Sequence, residues 1–253
     1  MKSLKQMSVL VTGGGSGIGA GTARYLVERG ARVTICGRRE DRLVRVAESL
    51  GDTCNAVPGD VTLSKDRERI VQKAITHGDG LHGLVNNAGN MYRGALGTLQ
   101  EEELLKLFHG NVVAGLMLAA LCEDALALTA GAVVFLGSIH NRRAFPGASP
   151  YAATKGAIEA LTRSLAAELG AKRIRVNCVA PGAVFTELNQ RAGLLDDEGA
   201  FARLQGMADL HALGRIGEVE EVAEAISYFL MAEWITGTVL EVDGGLALGL
   251  TEV

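Results

Sequence analysis

The chain has 253 residues, 48% of them hydrophobic, with 25 Lys and Arg set against 29 Asp and Glu. That length and apolar share predict one α/β domain over 1–253 with a sizeable core. The small net charge of −4 gives no reason to expect a nucleic acid or an anionic membrane as partner.

The first residues, MKSLKQMSVLVTGGG, hold no long apolar run and no small-residue cleavage site. The longest apolar stretch, Val112–Leu121, is too short to span a bilayer. Cys36, Cys54, Cys122 and Cys178 form no CxxC pair, so neither a zinc site nor a redox motif is expected, and no metal. Free thiols suit a reducing compartment, and the expected location is the cytoplasm.

The elements alternate from the start. Ser8–Thr12 predicts a strand and Gly17–Arg29 a helix, with a Gly-rich turn between them. Bare backbone at Gly13, Gly14 and Gly15 permits a tight turn and a close approach by phosphate. The helix opening near Gly17 aims free N–H groups and its positive end at that phosphate, and Gly19 allows close packing on the sheet. This is where a first βα turn binds a dinucleotide.

Arg32–Cys36 predicts the second strand, which runs into Gly37, Arg38 and Arg39. An acid for a ribose 2′-hydroxyl is expected about 20 residues past the turn, and two arginines stand there instead. Either they meet a 2′-phosphate, which favours NADP(H) over NAD(H), or they are exposed charges starting the helix Glu40–Leu50.

Next come strand Thr53–Val57, helix Ser64–His77, strand Gly83–Asn86, and helical Gln100–Leu128, bent or split near Gly110. Strand Ala132–Gly137 leads to Ser138, and helix Tyr151–Leu169 opens on Tyr151-Ala-Ala-Thr-Lys155. Residues four apart share a helix face. An ammonium beside a phenol favours the phenolate, so such a pair can pass a proton near neutral pH. Taken alone, a Tyr/Lys pair at this spacing is more often only a piece of helix surface.

Strand Arg173–Val179, helix Glu218–Leu230 and strand Val239–Val242 complete the pattern. Short, nearly continuous apolar strands alternating with helices predict a Rossmann-like, doubly wound, seven-stranded parallel sheet with helices on both faces. About 183–217 carries no strand signal yet holds Phe185, Leu188, Leu194, Leu195, Phe201, Leu204, Met207 and Leu210, and predicts a substrate lid. Arg93, Arg142 and Arg143 either hold a carboxylate or phosphate of the substrate or face solvent. His140, two residues past Ser138, joins Arg93 and Arg142 as a candidate substrate contact.

Read in order, Thr12–Gly19, Gly59-Asp60-Val61, Asn86-Asn87-Ala88-Gly89, Asn111, Ser138, Tyr151-x-x-x-Lys155, Pro181-Gly182 with Thr186, and Asp243-Gly244-Gly245 span nearly the whole chain. On these motifs it resembles the short-chain dehydrogenase/reductase family. The resemblance implies hydride transfer between a nicotinamide and a carbonyl or alcohol carbon. Tyr151 would be the acid/base, Lys155 its partner at the nicotinamide ribose, and Ser138 the group orienting the substrate oxygen. Asn111 would bind a water linking Lys155 to solvent.

It also implies a cofactor lined by Gly13, Gly15, Ser16, Gly17, Ile18 and Gly19. Asp60 and Val61 would lie at the adenine, with Asn87, Ala88 and Gly89 along the cleft. Pro181, Gly182, Val184 and Thr186 would lie on the nicotinamide side. Asn86 is expected to stabilise its strand, and the Asp243 turn to be structural. Ser16 stands where many NADP-using members carry a basic residue.

A 3-oxoacyl-[acyl-carrier-protein] reductase is one alternative; Lys172, Arg173 and Arg175 could dock its acidic carrier, but such residues more often solvate the approach to a strand. A non-catalytic NADP-sensing protein is another. Apolar residues around helices Asn111–Leu128 and Tyr151–Leu169 predict burial on most sides; the resemblance implies that the two helices pair between subunits, and a homotetramer is expected.

Overall fold

The structure, a computed structural model, describes residues 1–186 and 206–249. Seven parallel strands form one sheet in the order β3-β2-β1-β4-β5-β6-β7. They are β1 (Ser8–Thr12), β2 (Arg32–Gly37), β3 (Cys54–Pro58), β4 (Gly83–Asn86), β5 (Ala132–Leu136), β6 (Arg175–Pro181) and β7 (Val239–Val242). Helices α1 (Gly17–Glu28), α2 (Glu40–Leu50), α3 (Ser64–Gly78), α4 (Glu101–Phe108), α5 (Ala114–Thr129), α6 (Ser149–Leu169) and α7 (Val219–Met231) connect and flank them.

Side chains alternate across each strand, so successive residues feed opposite faces. Val9 and Val11 join Leu26 of α1 and Ile226 and Phe229 of α7 on one face. Leu10, between them, joins Ile70 of α3, Leu118 of α5 and Ile158 of α6 on the other. A sheet covered on both sides explains why the strands read as continuous apolar runs.

The expected helix from Gln100 to Leu128 is divided as anticipated. A π-helical turn, His109–Val113, separates α4 from α5 and contains the buried Asn111. Such turns concentrate at functional sites because they re-aim one side chain out of helical register. By length and composition alone Glu101–Thr129 could cross a membrane. Here its inner face is built into the core through Leu107, Leu118 and Leu126.

Arg175 fits neither reading, carrier docking or solvation of the approach to β6. It is buried, and its guanidinium donates to the carbonyls of Phe229, Leu230 and Ala232. It thereby caps carbonyls that the end of α7 leaves without helical partners. Lys172 is paired with Glu123 across the surface. All four cysteines are free and buried.

Candidate active site

The sheet reverses winding direction between β1 and β4, and the crevice at their carboxyl ends is the switch point where open α/β sheets take ligands. Thr12 closes this crevice at its base. Its hydroxyl accepts from the backbone N–H of Asn87 (3.0 Å) and of Ala88 (2.9 Å), while Asn87 Nδ2 donates to the Thr12 carbonyl (2.7 Å). The loop after β4 is thereby held beside the Gly-rich turn.

Two glycines of that turn are required by geometry. Gly17 opens α1 with φ of +52°, and a Cβ there would meet Thr186 at 3.2 Å. A Cβ on Gly19 would fall inside the carbonyl of Gly13, so any side chain would lift α1 off the turn. The result is a bare helix N-terminus facing the cleft, with no acidic residue in its first turn. That arrangement fits a dinucleotide's phosphates.

Arg39 donates from Nη2 to the Ser16 hydroxyl (2.9 Å), drawing a cation onto the turn that carries no basic residue of its own. Arg38 is exposed nearby. Arg42, which sequence reasoning missed, also belongs here: a Cβ on Gly15 would lie 3.3 Å from its Cβ. Its signal was its position four residues after Arg38, one helical turn along. Together these residues can hold a phosphate at the ribose end of a dinucleotide.

Asp60 and Val61 follow β3 and do not line the cleft itself. Asp60 Oδ1 accepts from the Thr62 backbone N–H (2.9 Å) and hydroxyl (2.8 Å), a local turn that fixes the loop. The Val61 carbonyl takes a hydrogen bond from the buried Arg67 (2.8 Å).

Opposite the Gly-rich turn stand Ser138, Tyr151 and Lys155, all buried and all on the cleft wall. Ser138 ends β5. Tyr151 and Lys155 occupy the first turns of α6, which Pro150 helps to start. The Lys155 ammonium lies 5.5 Å from the Tyr151 ring centroid and donates to the Leu136 carbonyl (2.7 Å). An ammonium has three donors, so two remain for the cleft.

Asn111 does not face the cleft. Its Nδ2 donates to the Asn90 carbonyl (2.9 Å) and to Thr154 Oγ1 (3.1 Å), while its Oδ1 accepts from the Asn90 N–H (2.8 Å). It therefore ties the loop after β4 to α6, behind Tyr151. Asn86 also keeps to its strand, donating to the Gly115 carbonyl (3.3 Å).

Pro181, Gly182, Val184 and Thr186 line the far wall past β6. Arg93 and His140 reach the cleft as well, in contact with each other: Arg93 Nη2 to His140 Nε2 is 3.0 Å. Arg142 does not. It pairs with buried Glu159 (2.9 Å) and with Glu241 (3.3 Å), so the expectation that it contacts substrate is corrected. Arg143 likewise donates to the Leu246 carbonyl (2.7 Å).

Met207 and Leu246 complete the apolar part of the wall. No local sequence signal marks Leu246, because only the tertiary fold carries the C-terminal segment to the cleft. Of the expected lid, Leu188, Leu194, Leu195, Phe201 and Leu204 lie outside the described residues.

Chemically, the crevice offers an anion-binding helix end on one side. A phenol, an ammonium and a hydroxyl converge on the other. No cluster able to hold a metal ion occurs among the described residues.

Known proteins share this fold. The family described as enoyl-(acyl carrier protein) reductase matches residues 13–247. Glucose 1-dehydrogenase of Gluconobacter oxydans (strain 621H) is 36% identical over 252 residues, covering 95% of this chain and 91% of that protein. The 3-oxoacyl-[acyl-carrier-protein] reductase of Mus musculus is 33% identical, covering 94% of this chain and 97% of that one. Among solved structures, 3-ketoacyl-(acyl-carrier-protein) reductase of Brucella melitensis, complexed with NADH, superposes with a TM-score of 0.88 at 27% identity. That match covers 97% of this chain and 100% of the other.

Proposed function

Because the chain belongs to the short-chain dehydrogenase/reductase family, and is thereby an NAD(P)-dependent oxidoreductase acting on CH–OH/C=O groups, we propose that it reduces a ketone with NADPH, or runs the reverse alcohol oxidation, using Tyr151 as proton donor. The observation that carries this reading is the convergence of Ser138, Tyr151 and Lys155 on the crevice that also holds the bare N-terminus of α1.

The nicotinamide cofactor, when bound, supplies or takes the hydride. The protein's share is placement and proton traffic. Gly13, Gly15, Ser16, Gly17, Ile18 and Gly19 form the phosphate turn. Asn87, Ala88 and Gly89 form the floor, and Pro181, Gly182, Val184 and Thr186 the far wall. Asp60 and Val61, past β3, serve the adenine end.

Ser138 donates to the substrate oxygen as negative charge develops on it. Tyr151 delivers the proton to that oxygen, and Lys155 stabilises the phenolate left behind. Asn111 holds α6 against the loop after β4 and keeps Tyr151 in place. Water that refills the proton would approach through the one lone pair that Asn111 Oδ1 retains, or through backbone carbonyls of the π-helical turn.

NADPH is favoured over NADH by Arg38, Arg39 and Arg42 at the end of β2. The binding-only alternative is disfavoured because Tyr151 and Lys155 are both in place. The alternative substrate is a carrier-protein thioester, and Arg175, spent inside the fold, takes no part in docking its carrier. Burial of four free thiols supports a cytoplasmic location.

The experiment is direct. NADPH deuterated at C4 is incubated with the protein and a panel of small ketones, and the alcohols are examined by mass spectrometry. Deuterium on the carbinol carbon is the expected result. Its absence from every product would end the carbonyl-reductase reading.

A further inference from the structure

Tyr151 and Lys155 account for the proton, but Ser138 acts only if its hydroxyl points the right way. A serine hydroxyl rotates freely and can donate to a neighbour as easily as to a substrate. Its neighbours here remove that freedom.

Arg93 Nη2 lies 3.0 Å from His140 Nε2. A guanidinium is only ever a donor, so Nε2 must be the acceptor. The proton of the neutral ring then sits on Nδ1. His140 Nδ1 is 3.1 Å from Ser138 Oγ, and with a proton on Nδ1 that bond runs from imidazole to hydroxyl. The backbone N–H of His140 donates to the same oxygen at 3.3 Å. Both lone pairs of Oγ are therefore occupied, and what Ser138 has left to offer the cleft is its own O–H.

The ring is held in place on its other sides. Phe145 lies over it at 4.3 Å between centroids, and the Tyr151 ring meets it edge-on at 5.1 Å. An Nε2 that accepts from Arg93 carries no proton of its own, which leaves the ring's single proton on Nδ1.

We propose that Arg93 and His140 form a fixed relay that sets the His140 tautomer and turns Ser138 into a dedicated hydrogen-bond donor for the substrate oxygen. Arg93 and His140 are positioning residues in this scheme, acting through Ser138. The proposal rests on the carbonyl-reduction reading for its kinetic consequence, but the relay itself exists without turnover.

Two measurements separate these layers. Histidine-selective ¹⁵N labelling and a long-range ¹H–¹⁵N spectrum of the intact chain report the tautomer directly. His140 is expected as the neutral Nδ1–H form, and Arg93→Ala is expected to release it to a mixture. A wild-type ring carrying its proton on Nε2 overturns the relay, whether or not the protein turns over a ketone.

The second measurement is a double-mutant cycle on an accepted ketone. Loss of one oriented donor commonly lowers kcat by about a hundredfold or more, so His140→Ala, which only frees that donor to rotate, should lower kcat by about tenfold with little change in KM. In the Ser138→Ala background, adding His140→Ala should cost nothing further. His140→Asn, whose amide nitrogen can stand where Nδ1 stood, should recover more activity than His140→Gln. NADPH affinity measured by fluorescence should be unchanged in each variant, which guards against misfolding. Independent, multiplicative losses from Ser138→Ala and His140→Ala would refute the proposal.

Discussion

Arg38 is the residue on which cofactor choice can be read most cleanly. It is exposed at the end of β2, with no hydrogen-bond or ion-pair partner among the described residues. Arg39 is already engaged with Ser16, and Arg42 packs behind Gly15. A hydrogen bond to a charged group is worth about 1.5–3 kcal/mol, or roughly tenfold or more in affinity. Arg38→Asp should therefore weaken NADPH binding by at least about tenfold while NADH binding changes little. Titration of protein fluorescence with each nucleotide measures both. Unchanged preference would remove Arg38 from the cofactor site. Arg142 teaches the opposite lesson about isolated arginines. It was as plausible in the sequence as Arg93, but buried Glu159 on α6 captured it, and no local pattern announces a partner 17 positions away.

At the scale of elements, α5 and α6 still show apolar surface. Val113, at the end of the π-helical turn, and Met117, Leu121 and Leu128 of α5 recur along one side and are exposed. On α6 the outward positions include Ala153, Ala160 and Ala167, small enough for close helix approach. A stripe of this kind fits a second copy of the chain better than water. Met117→Glu should place charges in such an interface and shift the protein to smaller assemblies, as light scattering would register. A wild type that is already monomeric would contradict the pairing. The central strands were readable because they are buried on both faces, and β1 and β4 have the expected bounds, as does the partly exposed edge strand β7. The start of β6 was less readable. Arg173 adopts a left-handed turn at φ of +60°, and the strand begins only at Arg175, whose charge is hidden by the carbonyls ending α7. The π-helical turn was foreshadowed by Gly110, though its purpose, carrying Asn111 inward, depends on α6 and the loop after β4.

For the whole molecule, burial of the thiols sets a limit on alkaline stability. Burial pushes Cys36, Cys122 and Cys178 up to about 12 and Cys54 up to about 11, from an ordinary 9.0. Above pH 9 the unfolded chain releases protons that the folded chain keeps. The unfolded state then binds fewer protons, so unfolding free energy falls as pH rises from about 9 towards 12. Urea melts across that range should show a falling midpoint, and replacing Cys178 with Ala should flatten part of the slope. A midpoint that stays level would mean the thiols are not sealed in the core.

The placement of Ser138, Tyr151 and Lys155 is likewise a property of the whole sheet, since β5, α6 and the turn after β1 meet only at the switch point. The site motifs were legible because their chemistry demands particular residues at fixed spacing. The relay through Arg93 was not, because it joins loops 47 residues apart. The most direct test of the account compares wild type with Tyr151→Phe on one accepted ketone, following NADPH absorbance. Loss of a positioned general acid should lower kcat by roughly a hundredfold or more, with NADPH affinity unchanged. A Tyr151→Phe protein that reduces the ketone within twofold of the wild-type rate would contradict it.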